Sequence, residues 1–178
     1  MVSELHGRRY EQTVRGNKFH VATQALVTTT VGLATTYTGL VLSNPITSVV
    51  NLELQRASWM QSVIQSVQPE AFALAVGFNS ATNVTHTTPV APKSSLIGSG
   101  LTGSGLADVS ATLPTAPTYH SFVGDTPSAT TDGAGGAFDI DGGIILKPGA
   151  YVAFVTPGQA SVAGMWFGFE WDEVPILQ

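Results

Sequence analysis

Four histidines (His6, His20, His86 and His120), twelve carboxylate side chains and no cysteine are what this chain offers for metal, acid–base or nucleophilic chemistry. The missing cysteine removes disulfide frameworks, thiolate zinc sites and cysteine nucleophiles together. A metal-binding strand would need a close His-x-His pair backed by a Glu, so that ligands share one face. The histidines here stand isolated, so surface or hydrogen-bonded core roles are expected and neither a metal nor a cofactor is. No Gly-x-Ser-x-Gly elbow presents a serine nucleophile. Asp139 and Asp141, with Asp132 nearby, would share a strand face and could hold Ca²⁺ or work as an acid/base pair. The further ligands of a calcium loop are missing, and a solvated turn before Gly142-Gly143 is the expectation. Gly98-Ser99-Gly100-Leu101-Thr102-Gly103 formally matches a dinucleotide fingerprint. That motif works only between a strand and a helix, whereas its flanks here are loop-like. Asn83-Val84-Thr85 is a glycosylation triplet, relevant only in a secretory pathway. A chain without catalytic activity is the reading.

The elements that would position these residues are mostly strands, because β-branched and aromatic residues come in short runs between Gly, Pro and Asn. Phe19 to Thr30 is Val/Thr-rich, with Val21, Thr23 and Ala25 on one side. Gly39 to Leu42 stops at the turn Ser43-Asn44-Pro45. In Val49 to Ala57, Val50, Leu52, Leu54 and Arg56 face one way and Asn51, Glu53 and Gln55 the other. Trp59, Met60, Val63, Ile64 and Val67 fit helical spacing, so Trp59 to Gln68 reads as either a short helix or an irregular crossover, closed by Pro69. Ala71 to Phe78 reads as a strand buried on both faces. Asn79 to Gly105 reads as a long loop, strands resume at Thr118 to Val123, and a Gly-rich break spans Thr126 to Ala137. Ile144-Ile145-Leu146 turns through Lys147-Pro148-Gly149 into a returning strand, Tyr151 to Val155. In Val162 to Trp171, Met165, Phe167, Phe169 and Trp171 share one face and Trp166, Gly168 and Glu170 the other. The fold class expected is all-β: an antiparallel jelly-roll-like β-sandwich over 36–178, preceded by an extended N-terminal arm and first strand over 1–35.

Only 11% of residues are charged, in a chain that is 43% hydrophobic with mean hydropathy +0.22; ordinary soluble domains carry roughly 25%. Such a surface implies protein neighbours, since interface cores are depleted of charge. Arg8, Arg9, Arg15 and Lys18 are four of the seven Lys and Arg residues and all precede position 19. They are candidate interface residues, the arm docking on carboxylates of a neighbouring subunit. Glu4 and Glu11 dilute the basic character and no aromatic ladder accompanies it, so nucleic acid is not an expected partner. Trp166 is the fifth candidate, either packed under a second layer or exposed as an interface anchor. The charged start, Met1 to Tyr10, is not expected to be a secretory signal. No apolar run approaches about 18 residues, so no membrane-spanning helix is expected.

Three stretches carry a resemblance. They are Thr38-Gly39-Leu40-Val41-Leu42-Ser43-Asn44-Pro45, then Gly77-Phe78-Asn79-Ser80-Ala81-Thr82-Asn83-Val84-Thr85-His86-Thr87-Thr88-Pro89, and finally Ile144 to Phe154 continuing to Trp171-Asp172-Glu173-Val174-Pro175. Together they resemble capsid decoration (cement) proteins of tailed bacteriophages with a jelly-roll fold. The resemblance implies a virion protein on the capsid exterior. It would bind the major capsid protein as a homo-oligomer, a trimer rather than a dimer, and would carry no catalytic residues. A phage tail, fibre or receptor-binding module of similar fold is the alternative, and a carbohydrate-binding domain a third.

Overall fold

The computed structural model describes residues 3–62, 70–126, 134–158 and 164–176. A short helix, α1 (Ser3–Val14), precedes β1 (Lys18–Ala22), β2 (Thr36–Ser43), β3 (Val50–Gln61) and β4 (Ala71–Phe78). Three two-residue strands follow, β5 (Thr85–His86), β6 (Pro89–Val90) and β7 (Lys93–Ser94). Then come β8 (Leu106–Thr112), β9 (Thr118–Asp125), β10 (Gly135–Leu146), β11 (Ala150–Val155) and β12 (Met165–Pro175). One sheet has the order β10-β3-β12-β1-β7; the other runs β5-β8-β2-β11-β4-β9 with β6 also beside β8. The strand pairs are antiparallel, and three of them nest: β2 with β11, β3 with β10, and β4 with β9. The chain is thus a doubled strip folded into the expected antiparallel β-sandwich.

Alternation along each strand sends one set of side chains between the sheets. Phe154 of β11 stacks on Phe167 (4.5 Å between ring centroids) and Phe169 (4.8 Å) of β12, joining the sheets at their centres. Phe72 of β4 meets Trp59 of β3 at 4.8 Å, and the Trp59 indole N–H donates to the Val123 carbonyl of β9 at 3.0 Å. Met165, Phe167, Phe169 and Trp171 are buried together, as their spacing predicts. β4 and β11 are covered on both faces. A second cluster (Tyr37, Val41, Ala73, Ala75, Ala111, Leu113, Tyr151, Ala153 and Val155) lies on the far side of their sheet, with Leu33 packed on it.

Several expectations change. The arm is not extended in this structure, since Ser3–Val14 is helical on either side of a kink at Gly7 (φ 75, ψ 163); β1 ends at Ala22, after which Val27 and Val31 make isolated bridges. β3 continues through Trp59 to Gln61; Val63, Ile64 and Val67 lie outside the described residues, as does Asp132. Arg56 does not share the face of Leu54. The register between β3 and β12 slips there, Glu170 facing Arg56 and Trp171 facing Leu54, so Gln55 is an extra residue. A bulge of this kind reverses the alternation beyond it, turning Ala57 and Trp59 inward and Arg56 to solvent. The 79–105 segment contains β5, β6 and β7, and the Gly-rich break closes earlier than expected, Gly135–Ala137 already belonging to β10. The Lys147-Pro148-Gly149 turn is no hairpin, because β10 and β11 lie in different sheets. Asn44 fastens this corner, donating through Nδ2 to Leu146 O (2.9 Å) and Val50 O (2.8 Å).

Tyr37 fastens β2 to β11 on the far side. Its hydroxyl lies 2.9 Å from Leu40 O and 2.8 Å from Phe154 O, both as acceptors. Complete burial pushes the phenol well above its usual range, so it stays a donor. Gly39 (φ 135) lies against this hydroxyl, and any Cβ there would collide with the Tyr37 ring. Tyr37→Phe would leave buried carbonyls unpaired, a loss of about 1–3 kcal/mol. Urea unfolding is expected to show a lower midpoint with an unchanged slope.

Candidate functional site

The four basic candidates lie on or just after α1. The helix ends where Gly16 turns to φ 77. The Gly16 N–H donates to Thr13 O (3.0 Å) and the Asn17 N–H to Gln12 O (2.9 Å), the paired bonds of a helix closing on a left-handed glycine. Asn17 O then accepts the Glu173 N–H at 2.8 Å, anchoring the start of β1 to β12. This reversal lays α1 back over the outward side of the first sheet. Arg8 pairs there with Glu53 of β3, while Arg9 Nη2 lies 3.2 Å from Asp139 Oδ1 and 3.0 Å from Asp141 Oδ1. The carboxylates that the arm was expected to find on a neighbour are thus present on its own chain.

A bulge builds the clamp. Between the pairs Asp139–Arg56 and Ile144–Leu54, β10 contains more residues than β3 opposite. Asp141 adopts φ 47, a left-handed conformation that Asp tolerates better than most side chains, and Gly142 follows at φ 81. A Cβ on Gly142 would run into the Glu53 carboxylate. The distortion turns both aspartates onto one guanidinium nitrogen. Their hydrogen bonds, that of Asp141 first, raise the Arg9 pKa. The predicted turn is therefore found inside a strand, and the carboxylate pair meets a cation from the same chain. Side-chain exposures of 54–66% for Arg9 and the two aspartates mean that solvent screens these pairs heavily.

Nearby, Lys18 is buried, its Nζ 3.4 Å from Glu170 Oε2, and it faces Asp172 across the β1–β12 ladder. Asp172 is buried with Oδ1 lacking a hydrogen-bond partner. Burial raises its pKa, Lys18 opposes the rise and Glu53 adds to it. Arg15 is exposed at the helix end. Trp166 lies on the outward side of β12, half-buried, donating through Nε1 to Ser62 Oγ at 2.9 Å. It lines a shallow groove with Met60, Ser58, Ala22 and Gly168, and among the described residues it is not part of the buried core.

One constellation was not legible in the sequence. Ser43 of β2 brings its Oγ 3.4 Å from His86 Nε2, and His86 Nδ1 lies 3.4 Å from Asp108 Oδ2. The order is that of nucleophile, base and orienting carboxylate. However, Ser43 is buried and its hydroxyl donates instead to Leu106 O at 3.3 Å. His86 Nδ1 makes no hydrogen bond, and Asp108 already accepts the Thr88 N–H (3.0 Å) and the Ser110 N–H. The trio fastens the β5–β6 segment to β8. His20 sits by Ser95 and His120 by Ser121, and no group of three metal-ligating side chains forms among the described residues. After the Gly98–Gly103 stretch the Ser104 and Gly105 N–H groups donate to Glu173 Oε1 and the chain enters β8, not a helix. No protein-family model, curated protein or solved structure matches this chain.

Two outcomes follow from these polar groups. Because the folded carboxyl of Asp172 titrates above its unfolded value, its charge opposes folding above that range, and protonation relieves the opposition as pH falls through it. Asp172→Asn is therefore expected to raise the melting temperature at pH 7, with the gain shrinking towards pH 3 in calorimetric scans. A fluorophosphonate probe is expected to leave Ser43 unlabelled in the native protein. A stoichiometric adduct on that residue, located by peptide mass spectrometry, would establish it as a nucleophile.

Proposed function

We propose that this chain is a virion structural protein without catalytic activity. It decorates the exterior of a tailed-phage capsid as a homo-oligomer, a trimer rather than a dimer, and strengthens the lattice of the major capsid protein. The observation that carries this reading is a charge-poor sandwich that leaves large apolar side chains uncovered at separate places. Ile97 is 82% exposed, Val49 76%, Phe122 67% and Ile145 59%. Protein neighbours on several sides would cover such positions, and the scarcity of charge is what interface surfaces show. The nested strand pairing is compatible with the jelly roll that the resemblance implies. Each copy would bridge adjacent capsid subunits through contacts of about 1,000–2,000 Å², and many modest contacts together form a strong clamp.

A tail, fibre or receptor-binding role differs in stoichiometry. Quantitative mass spectrometry of the particle is expected to find hundreds of copies; a dozen or fewer would place the chain in the tail instead. Sedimentation of the purified protein at micromolar concentration is expected to show an oligomer. A sole 18.5 kDa species would refute the self-association.

A further inference from the structure

We propose that the outward face of the first sheet holds a binding groove for an oligosaccharide bearing a carboxylate, in which Trp166 covers a sugar ring and Arg56 takes the acid. Such a site is independent of the capsid role proposed above and assigns this face to a ligand, not to a neighbouring subunit.

The strand registers set out the face in rows. Across β7, β1, β12, β3 and β10 one row reads Lys93, His20, Glu170, Arg56 and Asp139. Two residues further along, Ala22, Gly168 and Ser58 stand side by side, and beyond them Trp166 lies beside Met60. Small side chains in the middle thus leave a trough between a charged end and an aromatic end. Gly168 keeps it open, since a Cβ there would stand 2.8 Å from Ser58 Oγ. Two clefts share this floor, one of about 410 Å³ reaching Lys18, His20, Arg56 and Glu170, the other of about 310 Å³ beside Trp166 and Met60. Both fall within the roughly 300–1,000 Å³ typical of small-ligand sites. Four residues of β12 from Trp166 to Glu170 span about 13 Å, which suits an extended ligand better than a single ring.

Charge selects the ligand. Each carboxylate beside Arg56 is engaged by another cation: Glu170 Oε2 lies 3.4 Å from Lys18 Nζ, and Asp139 Oδ1 lies 3.2 Å from Arg9 Nη2. Arg56 is exposed and makes no ion pair or side-chain hydrogen bond among the described residues. The charged cleft therefore has two cations, Lys18 and Arg56, against the one carboxylate of Glu170, in a chain whose net charge is −5. A guanidinium with free N–H groups binds a carboxylate bidentately. His20, whose Nδ1 is 3.4 Å from Ser95 Oγ, and the hydroxyls of Ser58 and Ser95 supply further polar contacts.

The same geometry favours a sugar over a peptide. β1, β3 and β12 are interior strands with a neighbour on either side, so the groove offers side chains and no free strand edge. A peptide laid there would bring backbone N–H and C=O groups that no ladder pairs. A sugar brings hydroxyls, which these side chains meet, and a C–H face, which an aromatic ring covers. The Trp166 ring is already oriented, its Nε1 donating to Ser62 Oγ at 2.9 Å.

The test titrates the full chain with trigalacturonic acid and sialyllactose, with maltotriose and lactose as neutral counterparts, while the indole N–H resonances are followed by nuclear magnetic resonance. An acidic probe is expected to bind at least tenfold more tightly than its neutral counterpart and to shift the Trp166 signal, leaving those of the buried Trp59 and Trp171 in place. Arg56→Ala is expected to abolish the preference for acid, and Arg56→Lys to restore part of it. Trp166→Ala is expected to weaken every probe at least tenfold. Should that variant fail to fold, as judged by circular dichroism, Arg56→Ala at its exposed position carries the test. Equal binding of acidic and neutral probes, or no binding of either acid, would overturn the proposal. So would an acid preference that survives Arg56→Ala, or a triglutamate peptide that binds as tightly as the acidic sugars.

Discussion

Phe154 packed between Phe167 and Phe169 is the contact on which the rest of the sandwich depends. It sets β11 against β12 at the centre of the two sheets, with the rings 4.5 and 4.8 Å apart and nearly parallel. Phe72 extends the same layer, edge-on to Phe167 and against Trp59. Truncating such a buried ring typically costs about 3–5 kcal/mol, a large part of the stability of a domain this size. Because these strands are also central in their sheets, their position fixes the pairing of β2 and β4 on one side and β3 and β1 on the other. The nested pairing then brings segments far apart in sequence to the same end of the molecule.

Polar features are placed by departures from this regular frame. The extra residue at Gln55 turns Arg56 outward while keeping Trp59 inside. The longer bulge of β10 raises Asp139 and Asp141 towards α1. Each bulge keeps apolar alternation intact on both sides of itself, so the core is preserved while the outer face gains a local shape. Glu53 takes part in both arrangements: it pairs with Arg8 and lies against Gly142.

What could be read in advance follows from how local the information is. The period-2 alternation of Met165, Phe167, Phe169 and Trp171 and the continuous apolar run of Ala71–Phe78 are local; the structure buries the first set and, of the second, Phe72 to Ala75, while Phe78 at the strand end is exposed. The bulge at Gln55 was illegible because it depends on Trp171 sliding opposite Leu54, a contact across more than a hundred residues. Arg8 and Arg9 stood out by composition, but their partners did not, since Asp139 and Asp141 read simply as turn residues beside glycines. The same holds for Ser43, His86 and Asp108, which meet only because β5 and β2 both lie against β8. Isolated polar residues on separate strands carry no spacing signal.

The distribution of charge gives these long-range contacts their significance. Where charges are scarce, each pair specifies geometry more than it stabilises, because exposed ion pairs contribute at most about 1 kcal/mol. The interior needs no such specification: its aromatic and aliphatic packing already selects one register. The outer face of the first sheet has less apolar information, as Ala22, Ser58 and Gly168 are small and shape only a shallow groove. Orientation there has to come from directional contacts, and a guanidinium held by two carboxylates is directional. The bulge in β10 thus does for the outer face what the Phe154 stack does for the interior, fixing one arrangement among several that packing alone would leave nearly equal in energy.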